Sequence, residues 1–464
     1  PDGADIARQA RDHVGRADLP GYLTWMSHST LSSFNADAGA RLALVAHDAA
    51  DLKSKLEKAA SRLDKTPTAS FETPDGTSFG VGAPEGRLAF VFPGQGSQYL
   101  GMGGALAMAF DAARGPWDRA ADLDLGASQR LDQVVFPVPK FSDEERTADE
   151  ARLRATEWAQ PAIGATSLSL LALMRELGVQ ANMVAGHSFG EITALHAAGV
   201  LSEADMLAVA RRRGELMAAA AELPGAMTAV SADIEAVSAL LASLNRDDVV
   251  VANHNAPTQV VLSGTVDGVE AVESRMKTDG VRFTRLEVAT AFHSPVVAAS
   301  VAPFGAFLAD VKFAKGDLPV WSGESAAPYE TKVAARRERL ARQIVNPVRF
   351  VDLVSGMAEA GIHTFVEVGP GAVLTGLVDR TLKGKAHLAI ALDRRGKDGV
   401  ASLSAGLAQL IAAGVSLDLN ALWQGYGEPE DVSQRKKARL SVPICGANHG
   451  KKYPPEGGAA AVPG

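Results

Sequence analysis

A short apolar segment that runs into a glycine-rich turn and continues as a helix constrains this chain more than any other feature. Residues 181–186 form an apolar run typical of a buried strand, residues 186–190 read Gly-His-Ser-Phe-Gly, and a helix is predicted from Phe189. In a G-x-S-x-G pattern, small residues permit a sharp strand-to-helix turn that lifts the serine hydroxyl out of a sheet. The pattern predicts an α/β fold with a parallel sheet and makes Ser188 the candidate nucleophile.

The same pattern occurs a second time in a different context. Residues 76–80 read Gly-Thr-Ser-Phe-Gly, but they lie in a stretch rich in Thr, Pro and Gly that covers residues 66–86. Because we find no apolar strand before this match and no helix after it, we expect a linker or long loop there that fits the pattern by chance.

The order of the predicted strands and helices divides the chain into four regions. Residues 87–225 and 289–385 alternate strand and helix, which predicts a large lobe built on a parallel sheet. Residues 226–288 read β-α-β-β-α-β, the ferredoxin-like pattern, and are expected to form an inserted small lobe. Residues 1–86 and 386–464 are expected to be flanking α+β linker regions, the second ending in an irregular tail.

Composition excludes several classes of function. The net charge of −8 argues against a nucleic-acid binder, which needs a dominant basic face. No apolar run reaches membrane-spanning length, and we expect no membrane contact. The single cysteine, Cys445, provides neither a disulfide framework nor a cysteine metal site, so we expect a reducing, cytoplasmic setting. Both ends of the sequence look like cuts within a longer polypeptide.

A serine nucleophile needs a general base, and histidine is the usual choice near neutral pH. Of the ten histidines, His293 stands out because it lies where the predicted insertion returns to the large lobe. Residues at such junctions line the cleft between lobes, where ligands tend to bind. The order serine then histidine, with no obvious acid between them, leaves the group that orients the histidine open.

Six segments in order resemble the malonyl/acyl-transferase family of fatty acid and polyketide synthases. The resemblance covers about residues 87–385 and implies a hydrolase-like large lobe with the small lobe inserted in the expected place. The segments are residues 90–98 (Phe-Val-Phe-Pro-Gly-Gln-Gly-Ser-Gln), 186–191 (Gly-His-Ser-Phe-Gly-Glu), 213–214 (Arg-Gly), 291–294 (Ala-Phe-His-Ser), 343–348 (Gln-Ile-Val-Asn-Pro-Val) and 367–371 (Glu-Val-Gly-Pro-Gly).

The resemblance implies a role for each matching residue. Ser188 is acylated from a coenzyme A thioester, and His293 accepts its proton and later activates the incoming carrier thiol. The backbone carbonyl of Gln343 orients His293, which explains the missing acid. The backbone N–H groups of Gln95 and Phe189 form the oxyanion hole, where each donor is typically worth a few kcal/mol, to order of magnitude.

The segment around Gln95 also invites a dinucleotide-binding interpretation. Residues 94–99 follow a strand and read Gly-Gln-Gly-Ser-Gln-Tyr, but Tyr99 stands where the third glycine of G-x-G-x-x-G would be. The sequence therefore does not support a nicotinamide or flavin site at this loop.

One arginine carries the prediction of substrate class. Arg213 lies 213 − 188 = 25 positions after the nucleophile, and its family counterpart forms a bidentate pair with the free carboxylate of malonyl. Its neighbours Arg211 and Arg212 are expected to be solvated. Ala291 and Phe292 resemble the malonyl-type variant of the motif around the catalytic histidine, and the bulk of Phe292 is expected to crowd an extra methyl group. Thr290 departs from the full malonyl-type motif, which has histidine there.

The flanking regions narrow the resemblance further. Residues 441–455 resemble the segment after the acyltransferase of iterative, enediyne-type polyketide synthases, and residues 1–86 resemble the adaptor that follows a ketosynthase. The implied partners are an acyl carrier protein domain, a coenzyme A thioester and a neighbouring ketosynthase in the same polypeptide. Malonyl-CoA is the expected substrate, and no permanently bound cofactor or metal is expected. The rival interpretations are a serine thioesterase or hydrolase and a catalytically inert docking scaffold.

Overall fold

Three β-sheets organise the part of the chain that the structure describes. The structure is a computed structural model, and it describes residues 1–126, 129–220, 224–288 and 290–435. Among these residues, none of the helices combines the length and the apolar character that crossing a bilayer requires.

The N-terminal unit consists of a small antiparallel sheet with helices on one side. The strand order is β1-β3-β2, and Leu63 and Phe79 are buried between the sheet and the third helix. Asp2 and Asp48 cap the first and third helices by accepting hydrogen bonds from backbone N–H groups three residues later. The elements are α1 (Gly3–Val14), α2 (Tyr22–Ser32), β1 (Ala40–Leu44), α3 (Ala49–Lys65), β2 (Phe71–Glu72) and β3 (Thr77–Val81).

A six-stranded sheet forms the centre of the large lobe. Its strands are β4 (Arg87–Phe92), β5 (Met183–Gly186), β10 (Val320–Ser322), β11 (Ala327–Pro328), β12 (Ile362–Glu367) and β13 (Leu388–Ala391). The order is β11-β10-β5-β4-β12-β13, and all neighbours pair in parallel except the edge strand β11. Helices cover both faces of the sheet, so the side chains on both sides of its central strands are buried. These strands therefore read as nearly continuous apolar runs. The predicted α/β fold with a parallel sheet is confirmed, with one short antiparallel edge.

Helices surround this sheet on both faces. The longest, α8, is buried along most of its length because its Ala, Gly, Ser and Leu residues present small or apolar surface on every side. The helices are α4 (Gly104–Ala109), α5 (Asp111–Asp122), α6 (Leu131–Val135), α7 (Asp143–Arg154), α8 (Thr156–Glu176), α9 (Gly190–Ala197), α10 (Glu203–Ala219), α13 (Val301–Asp310), α14 (Val333–Arg342), α15 (Phe350–Glu359), α16 (Val373–Thr381) and α17 (Gly399–Ala413).

The inserted lobe has the predicted β-α-β-β-α-β order. Its elements are β6 (Gly225–Val230), α11 (Ile234–Leu244), β7 (Val249–Ala256), β8 (Gln259–Thr265), α12 (Val266–Thr278) and β9 (Phe283–Arg285). The strands pair in the order β7-β8-β6-β9, and every pair is antiparallel, which is the ferredoxin-like arrangement. Val230, Leu262 and Val272 belong to its separate apolar core.

The prediction of a loop at residues 66–86 was wrong. Residues 77–81 form β3, which pairs with β1 so that Leu42 lies opposite Phe79, and Ser78 is buried within this sheet. Gly76 before the strand and Gly80 within it masked the strand pattern, although Phe79 supplies the apolar contact that holds the strand against α3. Ser78 is therefore a sheet residue, and the second G-x-S-x-G match does not form a strand-to-helix turn.

The predicted boundary between residues 385 and 386 was also misplaced. Strand β13 lies beyond it and pairs in parallel with β12, so it completes the sheet of the large lobe. Helix α17 packs against β13 and also against β1 and β3, and it thereby joins the N-terminal unit to the large lobe. The predicted features of residues 441–455, and Cys445 with them, lie outside the described residues.

The topology brings two loops to one point. Strands β4 and β5 are direct neighbours in parallel register, with Phe92 opposite Gly186. Because the carboxyl ends of parallel strands meet at the same edge of a sheet, the segment after β4 and the turn after β5 lie side by side. These are the segments that carry Gln95 and Ser188.

Candidate active site

The turn that carries Ser188 is as tight as the sequence pattern requires. Ser188 adopts a left-handed backbone conformation with φ of 52° between β5 and α9. A Cβ atom added to Gly186 would lie 1.9 Å from the carbonyl carbon of Gly190, and one added to Gly190 would lie 2.0 Å from the carbonyl oxygen of Phe92. Only glycine fits at these two positions, so the motif presents the serine hydroxyl at the edge of the sheet.

His293 contacts Ser188 directly. Its Nε2 lies 2.7 Å from the Ser188 Oγ, and its Nδ1 lies 3.1 Å from the carbonyl oxygen of Gln343 and 2.9 Å from that of Asn346. Since carbonyl oxygens only accept, Nδ1 carries the proton and Nε2 is free to accept the hydroxyl proton of Ser188. The backbone N–H of His293 also donates to the carbonyl of Ile344, which fixes the ring against residues 343–346.

The surroundings of His293 keep it neutral. Burial, and next the positive charge of Arg213, lower the pKa of His293 to about 3. The two carbonyl acceptors act in the opposite direction, because they favour the protonated ring, but their effect is smaller. The imidazole can therefore take up a proton only while a compensating negative charge develops nearby.

Arg213 lies beside Ser188 and is almost completely buried. It projects from α10, is 1% exposed, and its Nη2 is 3.4 Å from the Ser188 Oγ. Nη1 donates to the side-chain oxygen of Gln160 and Nη2 to that of Gln343, both at 2.9 Å. Burial lowers the pKa of Arg213 to about 10, which still leaves it charged at neutral pH.

The partners of Arg213 are neutral amides. None of the ion pairs within the described residues includes Arg213, and its Nε has no hydrogen-bond partner there. Glu191 is the acidic group that acts on its charge most strongly, yet the two side chains are separated by Gln343. The cleft thus holds a buried cation that a bound carboxylate can pair with.

Gln343 links the groups of the site through both its backbone and its side chain. Its carbonyl accepts from His293, its Oε1 accepts from Arg213, and its Nε2 donates to the backbone carbonyl of Ser188 and to Glu191. The sequence pointed only to the carbonyl. The side chain forms hydrogen bonds as well, because Gln343 follows the last residue of α14 and its side chain turns into the core, where the residue is 2% exposed.

Glu191 is a buried carboxyl group that the sequence analysis did not single out. It accepts hydrogen bonds from the Gly323 N–H, the Gln343 amide and the Tyr329 hydroxyl. Burial raises the pKa of Glu191 despite these donors. The available sequence signal was its place three residues after Ser188, on the first turn of a helix whose residues 190–196 are buried.

The backbone N–H groups of Gln95 and Phe189 have no hydrogen-bond partner among the described residues, and they belong to the adjoining segments after β4 and β5. The two segments are in close contact, since a Cβ on Gly94 would lie 2.4 Å from the His187 carbonyl oxygen. The family resemblance implies that these two groups form the oxyanion hole.

The site opens into a cleft between the two lobes with a volume of about 530 Å³. Phe292 lines it, as predicted, whereas Ala291 is fully buried and does not reach the cleft surface. His187 also lines it, but its Nε2 is held by the Asn255 side chain at 2.7 Å, and no hydrogen bond joins it to Ser188. Nowhere in the described ranges do three or more His, Cys, Asp or Glu side chains cluster as metal ligands would.

Of the neighbouring arginines, neither enters the cleft. Arg212 is 40% exposed in its side chain and pairs with Glu215, as expected for a solvated face. Arg211 is less exposed than predicted, because its guanidinium stacks over the Trp158 ring at 4.5 Å and pairs with the same Glu215.

A family profile and individual relatives assign this chain to the same family. The sequence profile described as "Acyl transferase domain" matches residues 89–416. The malonyl CoA-acyl carrier protein transacylase of Bacillus subtilis (strain 168) is 36% identical over 309 residues, which cover 66% of this chain and 93% of that protein. The polyketide synthase GfsA of Streptomyces halstedii is 37% identical over 351 residues, which cover 74% of this chain but only 4% of that protein.

Solved structures agree with the sequence comparison. The acyltransferase domain from the second module of the salinomycin polyketide synthase has a TM-score of 0.72 and 30% identity, covering 88% of this chain and 89% of that one. The acyltransferase domain of an iterative polyketide synthase in enediyne biosynthesis has a TM-score of 0.69 and 28% identity, covering 90% of this chain and 95% of that one.

Proposed function

The chain belongs to the acyltransferase family, and we propose that it moves a malonyl group from malonyl-CoA to the phosphopantetheine thiol of an acyl carrier protein. Arg213 is the observation that carries this proposal. It is a buried, charged guanidinium beside the Ser188 hydroxyl, and no carboxylate of the described residues pairs with it. An acyl group that ends in a carboxylate supplies the missing partner.

The first half of the reaction acylates Ser188. His293 Nε2 takes the hydroxyl proton as the Ser188 Oγ attacks the thioester carbonyl, and the N–H groups of Gln95 and Phe189 stabilise the oxyanion. When the tetrahedral intermediate collapses, the carbon–sulfur bond breaks and the coenzyme A thiolate takes the proton from His293. The Nδ1 proton stays with the carbonyls of Gln343 and Asn346 throughout.

The second half reverses these steps with a different thiol. His293 removes the proton of the carrier phosphopantetheine thiol, the thiolate attacks the malonyl ester, and Ser188 regains its proton. Because one product leaves before the second substrate reacts, ping-pong kinetics are expected. Neutral His293 is the starting state of both halves, in agreement with its lowered pKa.

Arg213 selects the acyl group in this scheme. Its planar guanidinium suits bidentate binding of a carboxylate, whereas an acetyl group would leave the buried charge unpaired. Phe292 lines the same cleft, and its ring is proposed to crowd the additional methyl of methylmalonyl. One methyl group is worth only about 1–3 kcal/mol in a pocket, so this second selection is weaker.

The setting of the reaction is also part of the proposal. The acyl carrier protein as acceptor agrees with the name of the Bacillus relative, and the synthase context agrees with the two synthase domains of similar structure. We propose residues 1–86 as the adaptor from a neighbouring ketosynthase in an enediyne-type synthase. No bound metal or redox cofactor is required by the steps above, and a cytoplasmic setting rests on the single cysteine.

A two-step labelling experiment tests the proposal. The protein is mixed with malonyl-CoA that carries a labelled malonyl group, freed of excess substrate, and then mixed with holo acyl carrier protein. The label should first be found on the protein and then on the carrier thiol, with Ser188→Ala silent in both steps. Label that appears as free malonate without carrier would indicate a hydrolase, and no label on the wild-type protein would contradict acyl transfer.

A further inference from the structure

The loop that carries Gln95 is anchored at one end by a side chain. Gln95 Nε2 donates to the Thr156 Oγ1 on α8 at 3.0 Å, and Ser97 Oγ closes the turn by donating to the Gly94 carbonyl at 2.9 Å. Between them, Gly96 has φ of +105°, and a Cβ there would meet no atom within 4 Å. The space beside Gly96 is therefore open, and its backbone N–H donates to the side-chain oxygen of Gln98 within the same loop at 2.7 Å.

The other end of the loop is tied to the last strand of the large sheet. The Tyr99 hydroxyl donates to Asp393 Oδ2 at 2.5 Å, and the same oxygen accepts from the Gly371 N–H at 2.7 Å. Asp393 is 2% exposed and lies two residues after β13. Burial and the neighbouring carboxylate raise the pKa of Tyr99, so the phenol keeps its proton and remains a donor.

Three segments distant in sequence thus meet at one carboxylate. They are the oxyanion loop (residues 94–99), the turn before α16 that contains Gly371, and the segment after β13. A hydrogen bond to a buried charged group is stronger than one between neutral groups. The position of the loop relative to the sheet is consequently defined at Tyr99 as well as at Gln95.

We propose that Tyr99 and Asp393 are a positioning pair, which holds the oxyanion loop so that the Gln95 N–H points at the oxygen of the reacting carbonyl. Neither side chain touches that oxygen in this scheme. The inference rests on the proposed role of the Gln95 N–H in acyl transfer. It also extends the catalytic unit to residue 393, beyond the last element that the sequence assigned to it.

The expected effect follows from the geometry of an oxyanion hole. A donor acts only when it lies about 2.7–3.1 Å from the developing oxyanion, and a misplacement of about 1 Å can cost on the order of a hundredfold in rate. Loss of one tether leaves the Gln95–Thr156 contact in place, so a partial displacement is expected. We expect a decrease of about tenfold in the maximal rate of Ser188 acylation.

The test removes one hydroxyl group. Tyr99→Phe and the wild-type protein are mixed with malonyl-CoA at several concentrations, and the rate of malonyl-adduct formation is followed by rapid quench and intact-protein mass spectrometry. Tyr426→Phe is the matched control, because Tyr426 is 66% exposed and far from the cleft in sequence and contacts. The expected result for Tyr99→Phe is a maximal rate about tenfold lower, with the half-saturating concentration and the unfolding midpoint unchanged.

A second substitution separates the hydrogen bond from general damage to the fold. In an Asp393→Ala background the Tyr99 hydroxyl has no acceptor, so adding Tyr99→Phe should slow acylation no further. Full multiplication of the two effects would overturn the pairing, as would a wild-type maximal rate in Tyr99→Phe or a loss that only follows a lower unfolding midpoint. A wild-type protein that forms no adduct would instead reject the proposed function.

Discussion

Replacement of Arg213 by methionine is expected to remove most of the preference for a carboxylated acyl group. Methionine approximates the length of arginine but has no charge and no N–H groups. A hydrogen bond to a charged group is worth about 1.5–3 kcal/mol, so loss of the bidentate pair, with water replacing part of it, costs about 3 kcal/mol. That energy corresponds to about 150-fold in kcat/KM for malonyl-CoA.

The assay is competition between malonyl-CoA and acetyl-CoA for the adduct on Ser188. Arg213→Met should lose malonyl transfer by about two orders of magnitude while acetyl transfer stays constant or rises, because no buried charge is then left unpaired. Arg212→Met is the matched control on the same helix. Its side chain is 40% exposed and forms a surface ion pair with Glu215, so a change within about twofold is expected.

The role of Arg213 can be rejected by one result. If Arg213→Met remains folded and still prefers malonyl over acetyl by the wild-type ratio, another group must bind the carboxylate. Circular dichroism and an unfolding curve are needed beside the kinetics, since the substitution leaves the side-chain oxygens of Gln160 and Gln343 without their donor. Arg213→Lys, which keeps the charge but loses the planar fork, should fall between the two extremes.

Three further predictions concern pH and stability. The pKa of His293 is lowered to about 3, so the acylation rate should stay nearly constant from pH 8 to about 5, whereas a histidine of ordinary pKa near 6.5 would lose most of its activity at pH 5. Because the pKa is lower in the folded than in the unfolded protein, this group contributes stability above about pH 6.5, which is lost as the pH falls toward 3. A pH–rate profile with an acid limb near 6.5 would contradict the lowered pKa. Gly190→Ala should abolish acylation and lower the unfolding midpoint, because the added Cβ would lie 2.0 Å from the Phe92 carbonyl oxygen. Gly376→Ala is the control: no atom lies within 4 Å of its added Cβ, so the acylation rate should not change and the unfolding midpoint should stay the same or rise slightly. Arg41→Met should lower the free energy of unfolding in urea by about 2–4 kcal/mol. The buried Arg41 guanidinium joins the N-terminal unit to α17, because it donates to the carbonyls of Ala36, Ala38, Gly82 and Ala412. Arg8→Met is the control and should have little effect, since Arg8 forms an exposed ion pair with Asp5.

Local patterns in the sequence predicted those parts of the structure that short segments determine. The turn at Ser188 depends on small residues within five positions, and the ferredoxin-like lobe depends on an unbroken succession of short elements. The local pattern around Ser78 predicted a loop, and this prediction was wrong. Two glycines masked strand β3, which is stabilised by pairing with β1. Local patterns also failed at β13, whose place in the sheet is decided by pairing with β12.

The functional groups of the site also divide into those that the sequence predicted and those that only the tertiary structure revealed. Arg213 could be assigned a role only through the family resemblance, because 25 positions separate it from Ser188 in the chain. His293 lies 105 positions from Ser188, and its place at the lobe junction favoured it as the base before the resemblance gave it a defined role. No role was predicted for the Asn346 carbonyl, although residue 346 lies in a segment that resembles the family, and the Gln160 side chain carries no sequence signal of its own. Carbonyl acceptors are present at every residue, and a buried glutamine in an apolar helix can equally serve packing alone, so tertiary contacts were needed to find both.

Malonyl transfer through Ser188 is best tested by intact-protein mass spectrometry after brief mixing with malonyl-, methylmalonyl- and acetyl-CoA in competition. A single malonyl adduct is expected on the wild-type protein, and none on Ser188→Ala. A methylmalonyl or acetyl adduct would contradict the roles given to Phe292 and Arg213 while leaving acyl transfer intact. An adduct that persists in Ser188→Ala, or no adduct on the wild-type protein, would contradict acyl transfer through Ser188.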